Sequence, residues 1–224
     1  MRATLPLVTL LLGAAAVPLA AQAHDHAGQG DPDHAAAGAS AAVPAGWAVR
    51  ADGKADAATA KIVTMGPGLH ITTGPAIILY KPDTKGSGPF HTLAKFTQTK
   101  PSAHAEGYGL FIGGRGLDGA GQQYIYFLVR QDGSYLIKRR DGEKTSDISK
   151  GWVTSPAVQK PDAKGSATNL LEVDNKTDPA AITFKVNGQD VYGTAAAGMD
   201  LSGIVGIRAN HNLDLHVDGF DVHR

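Results

Sequence analysis

Tyr124, Tyr126, Tyr135 and Arg139 fall within one alternating stretch, Gln123-Tyr-Ile-Tyr-Phe-Leu-Val-Arg130, Asp132-Gly133, Tyr135-Leu-Ile-Lys-Arg-Arg140. Tyrosine rings can stack on the apolar faces of sugars and keep a hydroxyl for hydrogen bonding, while a guanidinium forks onto neighbouring hydroxyls or a carboxylate. Asp-Gly between two apolar runs predicts a hairpin with a two-residue type I′ loop, Gln131 standing opposite Ser134. That register places Ile125, Phe127, Val129 and Leu136 on one face with the stems of Lys138 and Arg140. Tyr124, Tyr126, Leu128, Arg130, Tyr135, Ile137 and Arg139 then share the other. The first face reads as core and the second as a ligand surface, unless a loop or the N-terminal segment covers it. Trp152, Arg208, Asn210 and His211 are further ligand-binding candidates. Against this, Trp152 also reads as core and Asn210-His-Asn212 as a chain reversal.

Other constellations are weaker. Gly114-Arg-Gly-Leu-Asp-Gly119 has the Gly-x-Gly-x-x-Gly spacing, but a strand rather than a helix follows, so it reads as a mobile loop and not a phosphate cradle. His104 and Glu106 precede a glycine-laced strand and could stand at a cleft rim, or simply be solvated. No Gly-x-Ser-x-Gly elbow occurs, and no histidine pair has helical metal-ligand spacing.

The elements that must position these residues are bounded by the N-terminus and by composition. Arg2, an apolar run through Leu12 and the sequence Ala21-Gln-Ala23 predict a signal peptide over residues 1–23, hence a periplasmic or secreted protein with no membrane anchor after cleavage. The chain has no cysteine, which excludes a disulfide framework and a lipoprotein anchor. Lys and Arg number 21, as do Asp and Glu, and losing Arg2 leaves 20 against 21. Such a balance argues against nucleic acid as a partner. Residues 24–44 lack side chains able to fill a core and read as a disordered leader. Cleavage after Ala23 would expose His24-Asp-His26, whose amine and imidazoles could wrap Cu²⁺ or Ni²⁺. Polar residues are equally ordinary just beyond a cleavage site, and the folded part calls for no cofactor. The domain is expected over residues 45–224.

Within it, turn signals are frequent and helical periods scarce. Strands are predicted at Lys61–Met65, Gly68–Thr73, Pro75–Tyr80 (stopped by Lys81-Pro-Asp83), His91–Thr99, Gly107–Gly113 and Asn169–Asp174. A second hairpin, Ala181–Val186 and Gln189–Tyr192 around Asn187-Gly188, sets Phe184 opposite Val191 and Lys185 opposite Asp190. A closing pair flanks Asn210–Asn212, with Leu213, Leu215 and Val217 alternating with Asp214, His216 and Asp218. A single helical turn is expected around residues 195–200. Two stacked antiparallel sheets follow.

Tyr126-Phe-Leu-Val-Arg-Gln-Asp-Gly-Ser-Tyr-Leu-Ile-Lys-Arg139, Trp152, Asn169-Leu-Leu-Glu-Val173, Ile182-Thr-Phe-Lys-Val-Asn-Gly188 and Gly203-Ile-Val-Gly-Ile-Arg208 resemble the laminin-G-like and concanavalin A-like jelly rolls. The nearest branch is bacterial exported domains similar to the 3-keto-disaccharide hydrolase family. The resemblance covers roughly residues 107–222 and implies an all-β jelly-roll sandwich, with glycoside hydrolysis as one activity. Catalytic jelly rolls of the laminarinase type carry Glu-x-Asp-x-x-Glu on one strand. Here Glu172-Val-Asp174 lacks the second glutamate, and its two carboxylates read as a plain solvated strand face before a catalytic pair. Three functions remain open: a non-catalytic domain binding carbohydrate or a cell-surface glycan on its concave sheet, a sugar-active hydrolase or lyase, and a structural or interaction protein of the envelope.

Overall fold

A computed structural model describes residues 43–224. The expected signal segment, nearly all of the expected leader and the candidate His24/His26 site lie outside the described residues. Val43 packs against the core and Pro44 accepts a hydrogen bond from the Trp47 amide, so the packed chain includes two residues ahead of Ala45.

Fifteen strands follow in chain order, with a 3₁₀ turn at Ala57–Thr59. They are β1 (Ala48–Ala51), β2 (Lys61–Met65), β3 (Gly68–Thr72), β4 (Ile77–Gly86), β5 (His91–Gln98), β6 (Gly107–Arg115), β7 (Gln123–Arg130) and β8 (Ser134–Asp141). Then come β9 (Lys144–Asp147), β10 (Val153–Thr154), β11 (Ala167–Asp174), β12 (Ala181–Val186), β13 (Gln189–Ala195), β14 (Gly203–Ala209) and β15 (Asp214–His223). The first sheet runs β1-β4-β14-β6-β7-β8-β10, with β9 on β8, and the second runs β13-β12-β11-β5-β15-β3-β2. Every pairing is antiparallel. Alternate residues of each strand point inward, and Phe96, Tyr108, Leu110, Phe127, Leu171, Phe184, Ile207 and Leu215 fill the space between the sheets.

The first hairpin departs from expectation in a way that changes the site. Arg130, not Gln131, pairs with Ser134, so Gln131-Asp132-Gly133 is a three-residue loop. Gly133 alone takes a positive φ, 87°, and its amide returns to the Arg130 carbonyl, as in a type I turn closed by a bulge. The Asp132 carboxylate accepts from the Ser134 amide and hydroxyl and pairs with Arg130, which favours this longer loop. A slip of one residue turns every side chain of β8 over. Tyr135 and Ile137 therefore join Phe127 and Val129 in the inter-sheet core, and Arg139 sits on that side of β8. Leu136, Lys138 and Arg140 join Tyr124 and Tyr126.

At Asn187-Gly188 both residues have positive φ, 52° and 76°, and the loop has two residues as expected. Lys185 faces Asp190 at 3.7 Å, but a bulge at Val191 sets Phe184 opposite Tyr192 instead. β4 runs on through Pro82 to Gly86. This is possible because β1 begins opposite Tyr80 and the β14 pairing is interrupted between Tyr80 and Lys85, so no partner needs the missing proline N–H. The closing strands do not pair with each other: β14 belongs to the first sheet and β15 to the second. Residues 210–212 carry the chain between them, held by Thr73, whose hydroxyl donates to the Asn210 carbonyl and accepts from the Leu213 amide. Around residues 195–200 one turn, closed from the Met199 amide to the Ala196 carbonyl, stands in place of a helix.

Candidate functional site

The outer face of the first sheet carries a second apolar cluster: Ile78 and Tyr80 from β4, Phe111 from β6, Tyr124, Tyr126 and Leu128 from β7, Leu136 from β8, and Leu117 from the following loop. Tyr80, Phe111, Tyr124 and Tyr126 form a chain of ring contacts with centroids 5.2–6.3 Å apart. Arg208 lies over the Tyr126 ring at 4.9 Å and Arg140 over Tyr124 at 5.9 Å. These covers leave Tyr124 only 2% and Tyr126 6% exposed, although they point away from the inter-sheet core.

This face is strongly concave. Five strand spacings separate β1 from β8, roughly 24 Å in a flat sheet and far beyond the reach of one arginine. Yet Arg140 on β8 meets Asp52, the residue after β1, at 3.0 Å. The sheet must curl until its ends face each other across the aromatic floor.

Charge is concentrated in that trough. Arg208 engages Asp52 end-on through both Nη atoms, at 3.3 and 2.6 Å, and Nη1 also donates to the Tyr124 hydroxyl at 2.8 Å. Burial by itself would raise the Asp52 pKa, but the Arg208 hydrogen bond and the charges of Arg208, Arg140 and His211 reverse it, and the net shift is downward. Burial opposes the Arg208 charge, and Tyr124 and Asp52 more than restore it. Burial raises the pKa of Tyr124 and Tyr126, so both stay neutral donors. One carboxylate thus serves two guanidinium groups, and the Nε atoms of Arg140 and Arg208 are buried without a partner among the described residues. The Tyr126 hydroxyl makes no hydrogen bond among the described residues.

The trough opens at one end of the sandwich into a cavity of about 180 Å³ lined by Tyr124, Arg140, Arg139, Arg115, Gln123 and Asp200, among others. A second, more open recess of about 480 Å³ shares Arg115 and Asp200 and continues to Lys85 and Ile204. Arg115 is paired with Asp200, and Asp141 accepts from Gln123. Arg139 is exposed and makes no ion pair among the described residues.

Of the residues singled out in the sequence, Tyr124, Tyr126 and Arg208 meet in the trough. Arg139 reaches the same end from the other side of β8, lining the cavity with Tyr124. Tyr135 belongs elsewhere: it is buried between the sheets and its hydroxyl donates to the Val191 carbonyl. Trp152 packs beside Leu128 with the Arg130 guanidinium 4.2 Å above its ring. Asn210 and His211 lie in the inter-sheet connection, near enough for His211 to lower the Asp52 pKa. Sequence reasoning missed Asp52 and Arg140. The correct register alone would have found Arg140, but nothing local marks Asp52, 156 residues from the arginine it holds.

The carboxylates considered for hydrolysis are elsewhere. Glu172 and Asp174 share the outer face of the second sheet, where Glu172 pairs with His91 at 3.0 Å. Asp174 accepts from the Lys176 and Thr177 amides and the Thr177 hydroxyl, closing a turn. The Gly114–Gly119 loop is not free: Leu117 is buried in the aromatic cluster, and Arg50 donates to the Leu117 and Gly119 carbonyls. Among the described residues no group of three or more histidine or acidic side chains could hold a metal ion.

The architecture is a concanavalin A-like β-sandwich. It is similar to the carbohydrate binding module CBM66 from Bacillus subtilis, with a TM-score of 0.57 at 9% identity over 80% of this chain and 96% of that one. It is similar also to the carbohydrate recognition domain of Emp46p in its metal-free form (TM-score 0.54, 14% identity, 80% and 88% covered). A third likeness is to a GH16 protein of the Bacteroides ovatus mixed linkage glucan PUL in complex with a G4G4G3G product (TM-score 0.50, 8% identity, 79% and 94% covered). At such identities the likeness establishes the fold alone. No family model matches the sequence, and none of the curated proteins does, so the resemblance to the 3-keto-disaccharide hydrolases rests on the sequence segments quoted above.

Proposed function

We propose that this is an exported, non-catalytic carbohydrate-binding domain whose ligand enters the cavity at the end of the concave face. The observation that carries the reading is the cavity wall at the end of the trough, where Arg139, Arg140, Gln123 and Tyr124 converge. Guanidinium, amide and hydroxyl groups on one wall suit a polyhydroxylated ligand, which offers each of them a hydrogen-bond partner. Ring stacking has a smaller part than the residue types suggest, because arginines already cover Tyr124 and Tyr126. Recognition falls instead to guanidinium and hydroxyl groups. The cavity is below the ~300 Å³ at which drug-sized pockets begin, which favours a terminal sugar over the middle of a chain.

Asp52, the carboxylate of the trough, is held ionised between Arg208 and Arg140 and is unsuited to the general-acid part in glycoside hydrolysis, which takes a carboxyl of raised pKa. Export rests on the sequence of residues 1–23, and N-terminal sequencing of the mature protein should begin at His24.

A glycan array probed with the mature protein and with Gln123→Ala tests the site. The variant shortens an exposed side chain on the cavity wall, so it should fold normally and bind its glycan several-fold more weakly. Undiminished binding would place the ligand elsewhere, and a bare array would remove the carbohydrate reading.

A further inference from the structure

Building on that reading, we infer that the preferred ligand is an acidic saccharide, a uronate whose carboxylate is taken by the arginines at the mouth of the trough. Charge balance there leads to this. The trough and the cavity together hold Arg115, Arg139, Arg140 and Arg208 against Asp52, Asp141 and Asp200. Asp200 is committed to Arg115, and Asp52 is divided between Arg140 and Arg208. Asp141 accepts from the neutral Gln123 amide and makes no ion pair with Arg139. Four arginines against three carboxylates leave one positive charge in excess, in a chain whose Lys plus Arg and Asp plus Glu both number 21. A surplus of positive charge in a partly desolvated recess of a neutral protein costs stability unless an anion enters it.

The shape of the donors narrows the anion. A guanidinium presents planar paired N–H groups that match a carboxylate. Asp52 already demonstrates that fit on Arg208, with two Nη–Oδ contacts. Arg140 lines the cavity next to Arg139, while the Tyr124 hydroxyl already accepts from Arg208. A sugar carboxylate at the mouth meets the exposed guanidinium of Arg139 beside that of Arg140, with its ring hydroxyls directed to Gln123 and Tyr124.

The experiment uses immobilised oligogalacturonate, oligoalginate and glucuronoxylan, each beside its fully methyl-esterified form, together with neutral glucans and galactans. Binding is measured for the mature protein, Arg139→Gln and Arg140→Gln. The expected result is binding of at least one free acid about tenfold or more above its ester, lost by a similar factor in either variant. Arg139 is exposed, so its variant retains the fold even if Arg140→Gln does not. Equal binding of acid and ester, or binding of neutral glycans alone, would overturn the uronate inference and leave carbohydrate binding standing. An acid preference untouched by Arg139→Gln would overturn the assigned site. Absence of binding to every saccharide would remove both readings together.

Discussion

Asp52→Asn should be among the most destabilising polar substitutions in this protein, and clearly worse than Arg140→Met. Removing the Asp52 charge leaves two guanidinium groups facing each other, with Arg208 only 5% exposed. Breaking a buried pair by deleting one partner costs ~3–5 kcal/mol, and the 23% side-chain exposure of Asp52 reduces this to about 2–4 kcal/mol. Arg140→Met instead leaves the two-contact Asp52–Arg208 pair intact and keeps most of the stem's packing, for a loss of about 1 kcal/mol or less. In the Arg140→Met background, Asp52→Asn should cost less than in the parent, since one of the two repelling cations is gone. Urea denaturation at neutral pH, with linear extrapolation, measures all four proteins. The sign with pH is also fixed. Asp52 has a lowered folded pKa, so its contribution is complete above the ordinary value of 3.8 and is lost as pH falls below it. The gap between parent and Asp52→Asn should therefore close in acid. Equal losses for Asp52→Asn and Arg140→Met, or a gap that widens in acid, would refute a network centred on Asp52.

Tyr126→Ala should lose roughly 3 kcal/mol, the usual cost of emptying a buried aromatic site, while Tyr126→Phe stays within about 0.5 kcal/mol; chemical denaturation of both checks it. Gly188→Val should cost about 1–3 kcal/mol, entirely from backbone strain, because φ there is 76° and no atom stands within 4 Å of the added carbon. In alkali, burial holds Tyr108 up to about 12 and also raises Tyr124 and Tyr126. The stability they contribute is complete below pH 10 and declines as pH rises toward 12, by ~3 kcal/mol for Tyr108 alone. Tyrosinate absorbance should then rise together with unfolding, and tyrosines that titrate freely near 10 in the folded protein would contradict the burial.

The sequence by itself determined the two-sheet architecture and most of the strands, because alternation with period two and glycine-bearing turns are local signals. Leu213, Leu215 and Val217 each face inward as their spacing requires, and Asn187-Gly188 makes its two-residue loop. It also pointed to Tyr124, Tyr126 and Arg208 by type, although rings taken for an open stacking surface are covered by arginine. The resemblance to a concanavalin A-like sandwich holds, but it reached the fold and not the ligand. Tertiary structure decided the rest. Whether Asp132-Gly133 closes a loop of two or three residues depends on the Asp132 contacts to Ser134 and Arg130, and that single residue moved Tyr135 into the core and exchanged Arg139 for Arg140. Assigning β14 and β15 to opposite sheets rests on contacts with β6 and β5, each far away in the chain. The site itself is joined by Asp52, brought to Arg140 and Arg208 only when the first sheet curls. Curvature is a sum of small twists over many strands, and no window of sequence contains it.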